Sequence, residues 1–511
     1  MQNKSPYASI VFFLLIWPLF TGCYSYFAAT PPSFYDGPEE KYFKNLKCEY
    51  ETQLEQNYFE SLICHSRTQL DNKFTFELAP ESQLRVEGFN PKDKDEALKA
   101  PLLLRFVWFS DVQFRQRELK LGSNFFSRLL DYSIASAERN RAQEDFHWAV
   151  YFSQIEATNR LHRVSPLDSM IHTGDSIDTG SIEELYQFIY ISDLLEIPWL
   201  NLIGNHDITI LGNYKERLGY GRDPGVMFHP VGDPDNFIWM HRAPRVISGF
   251  GRYLLPTPAK SAHKPSVNTW LGKKLPPTSH HGFDLNSGRT PGDYSIDLRE
   301  TSIPIRLIAL NSAKKDKAGA KGSIDPQKQR PWLKDELLPA NKGINLVFIH
   351  HSPEDFDLGT QALLSSPSNG PLVLFSGHTH QHHLKEHTGR DGGRYYELDT
   401  GSVLEFPQIG RLIELRATPG GPVWLVSRAL GNTLMPLRER PGDDLINAVV
   451  KDCLQKERRD AKRENIGEAV LCGHYGAVAD YRKDKTHFWQ ESPQPFREAW
   501  KNANVIIPVS R

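Results

Sequence analysis

Five short apolar runs in this chain each lead into a cluster of Asp, Asn or His. Residues 102–109, LLLRFVWF, run into Ser110, Asp111, Val112 and Gln113. Residues 169–173 run into Gly174-Asp175-Ser176-Ile177-Asp178, and residues 199–203 into Gly204-Asn205-His206-Asp207. Residues 346–349 lead to His350 and His351, and residues 372–375 to Gly377-His378-Thr379-His380. The donors gathered this way are Asp111, Asp175, Asn205, His350, His378 and His380: carboxylate, amide and imidazole, with no thiolate. Such a set suits divalent Mn, Fe or Zn rather than Ca or a sulfur-bound ion. It offers more donors than one ion takes, and two ions sharing a bridging carboxylate is the simplest arrangement.

Apolar runs of this length predict strands buried on both faces of a sheet. Donors at strand ends sit on rigid elements and converge at one sheet edge. Residues 294–298 and 303–310 predict two further strands. Residues 395–398 and 411–415 are expected to close the sheet region, and the chain beyond to be a packed tail. Helices are predicted over 125–162 and 183–195, from 329 to 337 with Trp332 and Leu333 facing inward, and over 443–463. Residues 210–290 are rich in Gly, Pro, Asn and His and predict loops.

The chain has 511 residues, 39% hydrophobic and 24% charged, the profile of a folded globular protein rather than a disordered one. Its 60 Lys and Arg nearly balance its 62 Asp and Glu. That balance gives no general pull toward nucleic acid, so no general nucleic-acid binding is expected.

Residues 8–20, ASIVFFLLIWPLF, form an apolar run too short to span a bilayer comfortably but of the length of a signal-peptide core. It ends in Leu19-Phe20-Thr21-Gly22-Cys23, which resembles a bacterial lipobox. That resemblance implies lipidation at Cys23, anchoring to a membrane, and a place in the bacterial cell envelope. Residues 1–23 are then the signal, 24–40 a tether, 41–100 a small N-terminal segment, 101–430 the catalytic domain and 431–511 a C-terminal extension. Four further cysteines remain: Cys48, Cys64, Cys453 and Cys472. In an exported chain they suggest disulfides, with Cys48–Cys64 and Cys453–Cys472 the sequence-local choice among three connectivities.

The strand-end clusters, taken in order, resemble the motifs of the calcineurin-like metallophosphoesterase superfamily. They read Asp111-Val112-Gln113, GDSID at 174–178, GNHD at 204–207, FIHH at 348–351 and GHTH at 377–380. Softer likenesses are GDYSIDL at 292–298, QRPWLKDEL at 329–337 and TGSVLEFPQIGRLIEL at 400–415. The resemblance spans about 100–430. It implies an α/β fold, a four-layer sandwich of two mixed β-sheets flanked by helices. It implies a hydrolase of phosphoesters, a phosphodiesterase in the first reading and a phosphomonoesterase in the alternative, with a phosphoester substrate and two divalent metal ions. Asp175 would bridge the metals. Asp111 and His380, with Gln113 nearby, would complete one site; Asn205, His350 and His378 would complete the other.

In this likeness a bridging hydroxide is the nucleophile. His206 is the catalytic histidine, stabilising the phosphoryl charge or protonating the leaving oxygen. Gln113 stands where the family usually has His. Its neutral amide would ligate through oxygen and favour Mn or Fe, hold a ligating water, or leave that site weak. Purple acid phosphatases need Tyr three residues after the bridging Asp; here that position is Asp178, which disfavours them. A surface lipoprotein using the fold as a non-catalytic scaffold is the remaining alternative, and only Gln113 supports it. His351 is expected to pack or to contact substrate. Asp178 and Asp207 are expected to orient ligands, His280 and His281 could reach the cleft, and His172, His382, His383 and His387 are expected to be ordinary polar residues.

Overall fold

The computed structural model describes residues 76–87, 93–114, 146–178, 180–208, 231, 233–242, 269–270, 273–274, 282–283, 290–298, 301–313, 321–418, 420–432, 451–453, 470, 472–477 and 494–510. Cys23, Cys48, Cys64, His280 and His281 lie outside them, as do most of the predicted 443–463 helix and the 125–145 part of the predicted 125–162 helix. Among the described residues no helix is long and apolar enough to cross a membrane.

Two mixed sheets face each other. The first contains β1 (Phe76–Leu78), β2 (Arg85–Val86), β3 (Leu102–Phe109), β4 (Ser169–His172), β5 (Trp199–Asn201) and three strands introduced below. The second runs in the order β12-β13-β11-β10-β9-β8. Its members are β8 (Tyr294–Leu298), β9 (Ile305–Ala309), β10 (Ile344–Phe348), β11 (Leu372–Ser376), β12 (His383–Thr388) and β13 (Arg394–Asp399). A separate two-stranded piece pairs β6 (Thr269–Trp270) with β7 (Lys273–Lys274).

The period-2 alternation of strands explains the layering. Phe106 and Trp108 of β3 point at the second sheet and meet Phe348 and Phe375 edge to face at 5.0–5.8 Å. Phe109 points the other way, toward Tyr151 on the helix His147–Val164. In β10, Leu346 and Phe348 join this inter-sheet core. Val347 and the following Ile349 join a second cluster, with Trp332 and Leu333 of the helix Gln329–Glu336. Helices therefore cover both outer faces, in an α/β four-layer arrangement. The four rings between the sheets contribute about 0.5–1.5 kcal/mol per pair beyond simple burial.

Sequence expectation and structure part company at the sheet's far side. Residues 395–398 and 411–415 lie in different sheets and do not close either one. β14 (Ile409–Ala417) pairs with β3, then β15 (Val423–Asn432) pairs with β14, and β16 (Val505–Ser510) pairs with β15. The order is β2-β16-β15-β14-β3-β4-β5, with β1 also on β15. The chain's last strand is thus an interior member of the first sheet rather than a packed tail. Pro508 hides this in the sequence, because proline cannot donate to a ladder. It lies opposite Trp424 where the register shifts, and β2 on the other side pairs only with Val505 and Ile506. A disulfide joins Cys453 and Cys472, Cα atoms 5.8 Å apart.

Candidate metal centre

β3, β4, β5, β10 and β11 all deliver their C-terminal ends to one edge of the sandwich. Beyond β3 and β4 the two loops stay paired. Asp111 N donates to Gly174 O at 3.1 Å and Gln113 N to Asp175 O at 2.8 Å. The carboxylates of Asp111 and Asp175 are thereby fixed side by side. From the second sheet, Gly377 N donates to His350 O at 2.9 Å, which ties β11's loop to β10's. The motif glycines permit this crowding. A Cβ on Gly204 would sit 2.1 Å from Asp175 Oδ1, and one on Gly377 would sit 1.9 Å from Ser110 Oγ.

The loops also hold their donors in left-handed backbone. Asp111, Gln113, Asp175, His378 and His380 have φ of 52°, 43°, 52°, 69° and 55°. Among the described residues Gln408 is the only other non-glycine with positive φ. Each such residue costs about 1–2 kcal/mol. That strain is concentrated on five of the eight residues singled out from sequence.

Donor atoms from both sheets converge at this edge. His350 Nδ1 lies 2.9 Å from the Thr173 carbonyl and donates to it, so Nε2 faces inward. That Nε2 is 3.2 Å from Asp175 Oδ2 and 3.1 Å from Asn205 Oδ1. His380 Nε2 is 3.1 Å from Asp111 Oδ1 and 3.2 Å from Gln113 Nε2. Asp111 Oδ1 and Asp175 Oδ2 are buried and make no hydrogen bond. Ligand atoms of Asp111, Asp175 and His350 lie within 4.8 Å of one another, as do those of His350, His351 and His378.

The electrostatics agree. Burial alone would neutralise Asp175 and Asp111, but the neighbouring histidines outweigh it and hold both below the usual carboxylate range. Burial likewise opposes charge on His350, yet Asp175 and Asp111 raise it to about 9. Positive charge must therefore sit among these oxygens, either a proton on the ring or a divalent cation in its place. The residues present fit such a cation: two unpartnered buried carboxylate oxygens, imidazole nitrogens facing them, and an amide on each side.

The helix Asn205–Ile208 carries the remaining chemistry. Asp207, pushed up to about 8 by burial and by Asp175, accepts from Ser176 N, Ile177 N and Gly204 N at 2.8–3.1 Å. It locks the two Gly-containing loops together. His206 N donates to Asp175 Oδ1 at 2.8 Å, and its Nδ1 donates to the Asp178 carbonyl at 2.7 Å. Burial opposes its charge, but Asp175 and then Asp178 raise the ring to about 10. With Nδ1 engaged, Nε2 is the nitrogen left to carry a proton to a ligand.

All eight residues expected from sequence, Asp111, Gln113, Asp175, Asn205, His206, His350, His378 and His380, are brought to this edge. His351 is fully buried and packs at 4.5 Å against His378, with Nδ1 2.9 Å from Ser312 Oγ; it has no exposed surface for a substrate. His172 is buried behind the site, 2.9 Å from Asn201 Oδ1, and burial lowers it to about 4. His382, His383 and His387 engage Arg411, Gln381 and Glu397 instead. Sequence reasoning gave no role to Glu405, whose Oε2 lies 2.6 Å from His380 Nδ1. It stands inside the TGSVLEFP stretch, but an acidic residue in a loop carries no signal until the loop is folded back.

A sandwich with this donor set at its strand ends defines a metal-site α/β protein, and the comparisons give the class a name. The calcineurin-like phosphoesterase family matches residues 104–382, more than half of the chain. The chain belongs to that family and is a phosphoric ester hydrolase. Two solved structures resemble it. One is a dimetal phosphatase from Danio rerio, 14% identical, with a TM-score of 0.35, covering 65% of this chain and 97% of that one. The other, from Staphylococcus aureus, is described as a 5'-nucleotidase in complex with alpha-ketoglutarate. It is 12% identical, with a TM-score of 0.30, and the match covers 69% of this chain and 58% of that one. No curated protein matches the chain.

Proposed function

We propose that the protein is a phosphodiesterase working through two divalent ions. Asp111, Gln113, Asp175 and His380 would hold one; Asp175, Asn205, His350 and His378 would hold the other. The observation that carries this reading is the pair of buried carboxylate oxygens, Asp111 Oδ1 and Asp175 Oδ2, that make no hydrogen bond and face imidazole nitrogens 3.1–3.2 Å away. When bound, such a pair of ions supplies an acidified water as nucleophile and charge for the phosphoryl oxygens. The chain's own residues do the rest. Asp207 and the glycine contacts keep the loops from shifting. Asp178 holds the His206 ring so that Nε2 gives its proton to the leaving oxygen.

The acidic character of the site supports the diester reading. The charged groups acting most strongly on Asp111, Asp175, His206, His350, His378 and His380 are aspartate, glutamate and histidine. A monoester brings a second negative charge and a diester does not, so acidic groups around the site favour the diester. The test is metal add-back. Stripped protein, resupplied separately with Mn, Fe, Zn or Mg, is assayed on an aryl phosphodiester beside the matching monoester. Turnover that depends on metal and favours the diester is expected. Preference for the monoester would overturn the ester assignment, and turnover without any metal would overturn the centre itself.

A further inference from the structure

We propose that Glu405 is a positioning residue for the metal site on the Asp111 side, supplying there the charge and ring orientation that Gln113 does not. The inference rests on the dinuclear reading above and deepens it.

The geometry is specific. Glu405 Oε2 lies 2.6 Å from His380 Nδ1, the length of a charge-assisted hydrogen bond. A neutral imidazole has one N–H. Spent on Glu405, it leaves Nε2 as a bare lone pair, and Nε2 is the atom facing Asp111 Oδ1 and Gln113. Across the centre, His350 is oriented by the Thr173 carbonyl, an uncharged acceptor. The full negative charge therefore stands behind the histidine that shares its site with Gln113. A carboxylate behind a ligating histidine fixes its tautomer and raises its basicity.

Glu405 is also built into position. Ser402 Oγ donates to Asp111 O at 2.7 Å and accepts from Leu404 N and Glu405 N, both at 3.1 Å. Val403 N donates to Ser110 O at 3.2 Å, and Gln154 Nε2 to Val403 O at 2.9 Å. Gln408 N closes the turn on Glu405 O at 2.7 Å. The loop carrying Glu405 is thus clasped to the strand end that carries Asp111, so carboxylate, ring and first ligand move as one unit.

The experiment is Mn(II) titration of metal-free full-length protein, with free Mn counted by electron paramagnetic resonance. Wild type should take up two equivalents. Glu405→Gln keeps the shape and an acceptor for Nδ1–H but removes the charge. It should bind one equivalent as wild type does and the other about 10–100-fold more weakly. Adding Gln113→His to Glu405→Gln should recover the weakened equivalent. Glu405→Gln binding both equivalents like wild type would overturn the proposal and leave the metal centre standing. Equal weakening of both equivalents would reduce Glu405 to a structural residue. Wild type binding no Mn would overturn the dinuclear reading and this proposal together.

Discussion

The two sides of the candidate metal centre are built from different materials. On the Asp175–Asn205–His350 side the histidine is fully buried and oriented by a backbone carbonyl. On the Asp111–Gln113–His380 side the histidine side chain keeps 19% of its exposure and is oriented by a carboxylate on a loop. The His350 ring is thus fixed through the backbone, and the His380 ring through a side-chain hydrogen bond at the rim. A ligand set held by backbone is hard to tune and hard to lose. A ring held by a side chain can be adjusted one residue at a time.

In the proposed dinuclear centre Asp175 belongs to both sides, so changing it should produce the largest effect. Asp175→Asn keeps the size, and asparagine tolerates the left-handed φ of 52° at this position. Loss of its charge should remove both bound equivalents and lower kcat/KM by about 10³-fold or more. His206→Ala should separate chemistry from metal binding. With both equivalents retained, kcat should fall by about 10²–10³-fold, the range of a lost general acid. Normal turnover in Asp175→Asn would sink the shared-ligand arrangement. Loss of metal in His206→Ala would make that residue a ligand instead.

A smaller effect should come from making the two sides alike. Gln113→His puts imidazole where the amide stands, at a buried position whose φ of 43° histidine also accepts. Affinity on the Asp111 side should rise about tenfold, more for Zn than for Mn, because imidazole is the softer donor. Competition between Zn and Mn, followed by metal content after dialysis, reads this directly. An unchanged Zn-to-Mn ratio would show that residue 113 does not face the ion.

Much of this was legible in the sequence because strand and ligand are adjacent in it. A continuous apolar run such as LLLRFVWF has one structural meaning, and the polar cluster that ends it has one location. What escaped detection was non-local. β16 contains Pro508 and pairs only through residues more than seventy positions away. Glu405 reaches His380 only because Ser402 folds its loop onto Asp111. Arg411, read as part of a strand, is fully buried over the Trp108 ring and donates to Asp399 O. No local pattern announces a buried cation of that kind.

A further contrast sets Asp175 against a buried carboxyl outside the centre. Asp293 is as buried as Asp175, and Oδ1 accepts from Asn311 N at 2.8 Å and Gln329 Nε2 at 2.9 Å, but among the described residues no imidazole is among the groups that shift it. Burial therefore wins over those hydrogen bonds and pushes it up to about 7, where Asp175 is held down. Between about pH 4 and 7 the folded chain keeps a proton on Asp293 that the unfolded chain has released. Stability from this group is full below about pH 4 and is lost as pH rises through 7. Asp293→Asn carries no such proton. Its amide leaves the site slightly worse paired at every pH, so the informative quantity is how the difference from wild type changes. Measured by melting temperature in chelator, that difference should shift in favour of Asp293→Asn from pH 4 to pH 7 by on the order of 3 kcal/mol, then level off. A difference that stays constant across this range would mean that Asp293 is charged throughout. Burial without a cation would then not be what separates it from Asp175.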